Sequence, residues 1–359
     1  MDTGAGLPDI AVGFDGWRAE VRTRVLDEVA GFLRGVRTDG LRSAAVEDVL
    51  RQYAVGGKCL RSGFMYLGWL CGAEPDDAAL RAAASLELLH AFALLQDDVM
   101  DDAALRRGAP AAHIRLSEGY GHDGVESAVR FGASAATLLG DMCLVWAERM
   151  LRESGVDAAA LARVWPGYDE MRIELAVGQY ADLTNDVRDR PALEEVLAIA
   201  RAKSGNYTVA RPLELGAAMA GCAEETLMML SRYGTRIGEA FQLRDDLLGV
   251  FGSAAVTGKP EDSDLGQHRA TTVVVVALES ADPATRRELS ELASRPALDQ
   301  AAITRCRDLI GASGAPERVE AMIADRVDEA RSALRACSLP SGRRAALDQM
   351  ALLCTARQM

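Results

Sequence analysis

From about residue 17 to residue 336 apolar side chains recur at helical spacing, and convincing strand alternation is missing. That pattern predicts an all-α fold. Helices are expected over about 17–37, 43–53, 60–72, 76–100, 125–153, 157–186, 191–220, 223–251, 283–294, 298–312 and 315–336. One run, TTVVVVAL at 271–278, has strand-like composition. It would have no partner strands, so it is read as a buried helix. Residues 1–15 are expected to be a flexible arm, 252–270 a functional loop, and 16–359 a single helical domain, because no Pro/Ser-rich linker divides the chain.

Composition narrows the function. The 359 residues are 49% hydrophobic and 26% charged, the proportions of a chain that buries a sizeable core. A net charge of −13 argues against nucleic acid as a partner and against a basic membrane-binding face, and suits a protein that collects cations. Seven scattered cysteines with no Cys-x-x-Cys pair suggest neither disulfides nor a zinc site, and a reducing cytoplasm is the simplest setting. The N-terminus lacks the basic start and apolar core of a signal peptide, and no apolar run is read as reaching the roughly 20 residues of a membrane helix.

Charge is concentrated in one unexpected place. In LELLHAFALLQDDVMDDAALRRGAP, residues 86–110, an apolar helix ends in four aspartates, followed by two arginines and a Gly-Ala-Pro stop. Asp97 and Asp101 share a helix face, with Asp98 about 100° round the cylinder. Gathering carboxylates at a helix C-terminus costs repulsion and desolvation, so something positive must compensate. Mg²⁺ suits an all-oxygen site, and Arg106 and Arg107 can hold phosphate oxygens that the metal bridges. Taken alone, a solvated acidic helix end with local ion pairs explains the cluster equally well. A second pair, Asp245 and Asp246 in FQLRDDLLGVFG with Gln242 one turn back, tips the balance towards a diphosphate and metal site.

Basic residues come from several further stretches. Gly56 and Gly57 precede Lys58 and Arg61, which would meet on one face if a helix begins there. Lys203 heads RAKSGNYTVARPLELGA, Lys259 sits in a Gly-Lys-Pro turn, and Arg269 follows Asp264. Gln179 and Asp182 interrupt an apolar helix in Gly-Gln-Tyr-Ala-Asp-Leu. Glu87 and His90 have the Glu-x-x-His spacing of di-iron bundles, but no second copy exists. His90 is then a core histidine or a phosphate donor.

These motifs, in this order across about residues 50–280, resemble the trans-isoprenyl diphosphate synthase (polyprenyl synthetase) family: GGKxxR at 56–61, ELLH at 87–90, DDVMD at 97–101, LRRG at 105–108, GQxxDL at 178–183, Lys203 and FQLRDD at 241–246. The resemblance implies an isoprenoid synthase-type helical bundle around a deep central cavity, usually a homodimer, using three Mg²⁺ ions. It implies metal ligation by Asp97, Asp101 and Asp245 with Asp98 and Asp246 nearby. Arg106, Lys203 and Lys259 would hold an allylic diphosphate, with Gln242 and Arg269 in support. Lys58, Arg61, His90 and Arg107 would hold isopentenyl diphosphate. Four positions depart from the family pattern: Cys59 in place of an arginine, Gln96 in place of a histidine, Gly249 in place of a third aspartate, and Gly-Gln-His-Arg-Ala-Thr at 266–271, which leaves Arg269 as the replacement cation.

The same resemblance bears on product length. Phe92 lies about 7.5 Å down the helix from Asp97, near the place where a bulky residue stops chain growth in this family, with small Ala93 more directly beneath the aspartate. That combination resembles geranylgeranyl (C20) synthases. The alternatives are a farnesyl or longer-chain polyprenyl synthase, a related terpene cyclase, or a silent partner subunit. The paired GGKxxR and LRRG motifs argue against the cyclase, and the two intact acidic pairs against silence.

Overall fold

A computed structural model of the chain describes residues 10, 13–36, 44–118, 120, 124–187, 190–252, 265, 269–295 and 297–356. Most of the expected N-terminal arm and of the 252–270 loop, including Lys259, lies outside them. Among the described residues the only sheet is a two-stranded hairpin, and the rest is helix and connection. The chain divides into two compact units, residues 1–164 with 215–222, and residues 165–214 with 223–359.

The first unit is built on α1 (Phe14–Gly35), α2 (Ala44–Ala54), α3 (Leu60–Leu70), α4 (Asp77–Met100), α5 (Ala112–Glu118) and α6 (Val125–Arg152). α1 buries Trp17, Val21, Val25 and Val29, one residue per turn, as an amphipathic helix must. α4 begins where the Asp76 side chain accepts the Ala79 N–H at 2.8 Å. It is buried all round from Ala82 to Leu89, then becomes one-sided. Ala91, Leu95 and Asp98 continue the buried seam, while His90, Phe92, Ala93, Leu94, Gln96, Asp97 and Asp101 are half-buried.

α4 is not stopped by Gly-Ala-Pro. Asp102 adopts a left-handed φ of 48°, and the Ala103 N–H returns to the Asp98 carbonyl at 2.9 Å, closing the last turn. Then β1 (Leu105–Arg106) pairs antiparallel with β2 (Ala109–Pro110). The connecting residues Arg107 and Gly108 have φ of 55° and 77°, as a two-residue hairpin turn of matching twist requires. Arg106 therefore ends a strand and Arg107 begins the turn, rather than both following a fading helix. Lys58 precedes α3, so it does not share a helix face with Arg61 as expected.

The second unit carries α8 (Leu193–Ala200), a π-helical segment (Arg201–Ala210), α10 (Glu224–Phe251), α11 (Thr272–Ser280), α12 (Pro283–Ala293), α13 (Gln300–Ala312), α14 (Ala315–Arg335) and α15 (Ser341–Thr355). α7 (Ala158–Leu183) and α9 (Arg211–Met219) run through the unit boundaries. α7 contains Pro166 just past one of them, where a backbone bond must be missing. The span 191–220, expected as one helix, is three pieces, and α15 was not anticipated. The 271–278 run is helical as expected, burying Val273, Val275 and Val276. All seven cysteines are free thiols.

Among the described residues two helices, α4 and α6, are long and apolar enough to cross a membrane by length and composition, contrary to the sequence reading. For α4 the reason is burial, since 67% of its most apolar window is inside the protein. The corresponding α6 window is only 28% buried. Phe131, Leu138 and Val145, seven residues apart on α6, are 41%, 63% and 65% exposed, which lines them up along one side of the helix.

Candidate active site

In the first unit the two aspartates of Asp97-Asp98 do different things. Asp98 has no exposed surface. One of its oxygens accepts the Tyr53 hydroxyl at 2.5 Å. The other accepts Arg106 Nε at 2.7 Å and a second, very short contact from the same guanidinium. Two donors of one guanidinium thus converge on a single carboxylate oxygen, a charge-assisted pairing. The Tyr53 hydroxyl also accepts the Ala112 N–H at 2.9 Å, so it joins α2, α4 and α5. Burial, then the Asp98 charge, pushes the Tyr53 phenol up, so it stays a neutral donor. Asp97 touches Arg106 more loosely, at 3.2 Å. Asp97 and Asp101, one turn apart on the half-buried side of α4, are the pair turned away from the core.

A cationic group lies beside them. Arg107 donates to the Gln52 carbonyl at 2.7 Å, and Gln52 Nε2 donates to the Arg106 carbonyl at 3.1 Å, so the end of α2 holds the hairpin. The Arg107 guanidinium lies against Gly56 and Gly57, where a Cβ would sit 2.9 and 3.0 Å from its Nη atoms. Gly57 also has φ +87°, and Arg22 holds its carbonyl at 2.8 Å. The positive φ demands glycine at 57, and the Arg107 guanidinium passes close over both residues. His90 Nδ1 has no accessible surface. Burial, and then the positive fields of Arg61, Arg107 and Arg106, push its imidazole well below the usual range. Glu87, buried and bonded by Ser62 Oγ at 2.7 Å, is pushed up by burial against the opposing pull of Arg61.

The second unit repeats the division of labour. Asp246 is buried, and its oxygens accept Gln242 Nε2 at 2.8 Å and the Thr272 N–H at 3.0 Å. It thereby caps the start of α11 from α10. Asp245 is half-buried beside it. Arg244 points the other way, to the Thr355 carbonyl at 2.8 Å and to Glu320 at 2.7 Å, so α14 and α15 anchor the second aspartate motif. Asp182 receives Lys203 Nζ at 2.6 Å and Arg269 at 3.1 Å, which brings three separate sequence signals to one carboxylate.

Among the described residues, no three His, Cys, Asp or Glu side chains form a ready-made metal cage. Asp98 and Asp246, named in sequence as possible metal ligands, already have both oxygens engaged by protein groups. Asp97 and Asp101 in the first unit, and Asp245 in the second, are half-buried carboxylates, the ligand type of which a hard cation takes one or two before completing its shell with water and phosphate.

Comparison with known proteins identifies what this arrangement belongs to. The family model described as polyprenyl synthetase matches residues 43–310. The chain belongs to the polyprenyl synthetase family. It is a prenyl-transferring enzyme with the all-α isoprenoid synthase fold. Over 287 residues, 77% of this chain and 76% of the relative, it is 34% identical to the geranylgeranyl diphosphate synthase of Mycobacterium tuberculosis (strain ATCC 25618 / H37Rv). Over 284 residues, 78% of this chain and 83% of the relative, it is 33% identical to the geranylfarnesyl diphosphate synthase of Aeropyrum pernix. A crystal structure of the geranylgeranyl pyrophosphate synthase of Corynebacterium glutamicum, complexed with isoprenyl diphosphate and magnesium, superposes with a TM-score of 0.86 at 33% identity, covering 96% of this chain and 100% of that one.

As a polyprenyl synthetase, the chain carries its signatures on the elements just described, and its departures acquire local explanations. Cys59 caps α3 with φ 49°, a left-handed position that is strained for any side chain. Gln96 donates to Asp141 at 3.1 Å and to the Thr137 carbonyl at 3.3 Å, and lies over Gly140 of α6. Sequence reasoning missed Tyr53, Gln52 and Arg22, which support the hairpin and glycine loop from helices with no local mark of function.

Proposed function

We propose that the protein is a Mg²⁺-dependent prenyltransferase that condenses isopentenyl diphosphate with an allylic diphosphate (dimethylallyl, geranyl or farnesyl) to give geranylgeranyl diphosphate, C20. The observation that carries the reading is the change in α4 from buried all round to one-sided at His90. Its accessible side then runs through Phe92, Ala93 and Gln96 to Asp97 and Asp101, an apolar stretch ending in carboxylates. In this reading Asp97, Asp101 and Asp245 would hold Mg²⁺, three ions being the expected count, which would supply positive charge to the departing diphosphate.

The chain's own residues do the rest. Arg106, aimed by Asp98, and Lys203 and Arg269, gathered by Asp182, donate to the allylic diphosphate, with Lys259 expected to join them and Gln242 to assist through Asp246. Lys58, Arg61, Arg107 and neutral His90 hold isopentenyl diphosphate over the Gly56–Gly57 backbone. Donors already in place where charge develops are worth most in a site that excludes water. No protein nucleophile is required. The double bond of isopentenyl diphosphate attacks the allylic carbon as its C–O bond breaks, and the proton lost afterwards goes to the released diphosphate. The exposed Phe131, Leu138 and Val145 side of α6 supports a homodimer.

Relatives with different named products do not determine chain length, so the C20 assignment rests on Phe92 and Ala93. Incubation with Mg²⁺, isopentenyl diphosphate and each allylic primer should give C20 as the main product, sized by mass spectrometry. No elongation with any primer by folded protein would sink the reading. In the same assay Phe92→Ala should lengthen the product, and unchanged length removes Phe92 from the explanation.

A further inference from the structure

The π-helical segment Arg201–Ala210 carries Lys203, and its own sequence alone does not explain how a widened helix stays in place. Wider turns are rare and persist where surrounding structure imposes them. Two kinds of contact impose this one, all within the second unit.

The first is backbone on backbone. A Cβ on Gly178 of α7 would lie 2.5 Å from the Lys203 nitrogen and 2.8 Å from its Cα. On the α10 side, a Cβ on Gly205 would lie 2.8 Å from the Gly238 carbonyl carbon, and one on Gly238 only 2.4 Å from the Gly205 oxygen. Three glycines therefore let α7 and α10 close on the segment on either side of Lys203. The glycine of the Gly-Gln-x-x-Asp-Leu signature thus has a physical reason of its own.

The second is a pair of carboxylates, one at each end. Glu239, next to Gly238, has a side chain only 3% exposed and receives Arg201 Nε at 2.7 Å, Arg236 at 3.1 Å and Arg326 at 3.1 Å. Arg201 is the first residue of the π-helical segment. Towards the other end Glu174 of α7 receives Asn206 Nδ2 at 2.5 Å and Arg211 Nε at 2.8 Å. A buried carboxylate with three guanidiniums is poor evidence for stability in itself, because desolvation offsets most of the attraction. Its geometric consequence is clearer: Arg201 ties the start of the segment to the helix that bears Asp245.

We infer that Glu239, acting through Arg201, is a positioning residue that sets where Lys203 presents its ammonium to the allylic diphosphate. This rests on the proposed role of Lys203. Arg201 reaches Glu239 from an open cleft of about 1000 Å³, and its side chain is 36% exposed. Replacing it opens no core cavity and leaves Glu239 paired with Arg236 and Arg326.

The test is steady-state kinetics of the full chain with Mg²⁺, varying one substrate at saturation of the other. Arg201→Gln should raise KM for the allylic diphosphate by about tenfold, the scale of a small misplacement, while KM for isopentenyl diphosphate and the thermal midpoint stay put. Arg201→Lys, which can still pair with Glu239, should recover most of the loss. In a Lys203→Ala background, Arg201→Gln should add nothing, because residues acting through one another are not additive. An unchanged allylic KM in Arg201→Gln, the same increment on both backgrounds, or equal movement of both KM values together with the midpoint overturns the inference alone. If Lys203→Ala itself leaves the allylic KM unchanged, the role of Lys203 falls, and this inference with it.

Discussion

Asp97→Asn is expected to lower kcat by about 10³, equivalent to about 4 kcal/mol of transition-state stabilisation, while stability stays within about 1 kcal/mol of the parent. The two halves of that result have separate causes. Asp97 lies on the accessible side of α4, and its contact with Arg106 at 3.2 Å is the looser of that guanidinium's attachments. Losing it leaves Arg106 bound to Asp98 and relieves repulsion among Asp97, Asp98 and Asp101 at the negative end of the helix. The amide, however, is a far weaker ligand for a hard cation than the carboxylate it replaces. Kinetics over a Mg²⁺ titration, beside thermal unfolding of the apoprotein, check both halves. Full activity at ordinary Mg²⁺ concentration would remove Asp97 from the metal site.

The acidic motifs were legible because charge at the end of an apolar helix contradicts the pattern that precedes it. The wheel also paired Asp97 with Asp101 and set Asp98 apart. What it could not tell was which of the two directions faces the protein, because residues 82–89 are buried all round and give no inside reference. That choice is made by Tyr53, 45 residues away. It lies on an amphipathic helix where a tyrosine reads as ordinary core, and long-range hydrogen bonds leave no local periodic trace.

The same limit explains the other differences. An i+4 and an i+5 spacing cannot be separated over ten residues by hydrophobic pattern, so the π-helical segment read as a continuation of α8. It is selected by glycines on α7 and α10. The hairpin was missed because its turn uses Arg107-Gly108 rather than the Asn-Gly or Asp-Gly pairs that signal such turns. α15 was missed because much of its inward side is Ala346, Ala351 and Cys354, small residues that give a weak signal. Yet α15 and α14 hold Arg244, so helices that read as mere packing secure the second aspartate motif.

Asp98→Asn should behave in the opposite way from its neighbour and lose stability first, by about 3 kcal/mol. Its carboxylate has no contact with water, and it is the principal counter-charge to a guanidinium whose own side chain is 12% exposed. Breaking a buried pair from one side leaves the remaining charge uncompensated, a larger effect than the pair's net contribution. Tyr53→Phe provides the internal comparison. It leaves the Asp98–Arg106 pair intact but removes the donor to Asp98 and the acceptor for Ala112, so a loss of about 1–3 kcal/mol is expected. Both variants should also lose activity, because a displaced Arg106 no longer meets the diphosphate. Their apparent Mg²⁺ affinity should change little once the folded fraction is accounted for. Chemical denaturation of both variants, with Mg²⁺ titration of the folded protein, distinguishes a brace from a ligand. If Asp98→Asn is as stable as the parent yet binds Mg²⁺ weakly, Asp98 must turn outward when the metal arrives, and the assignment of one aspartate of each pair to the metal and the other to the protein fails.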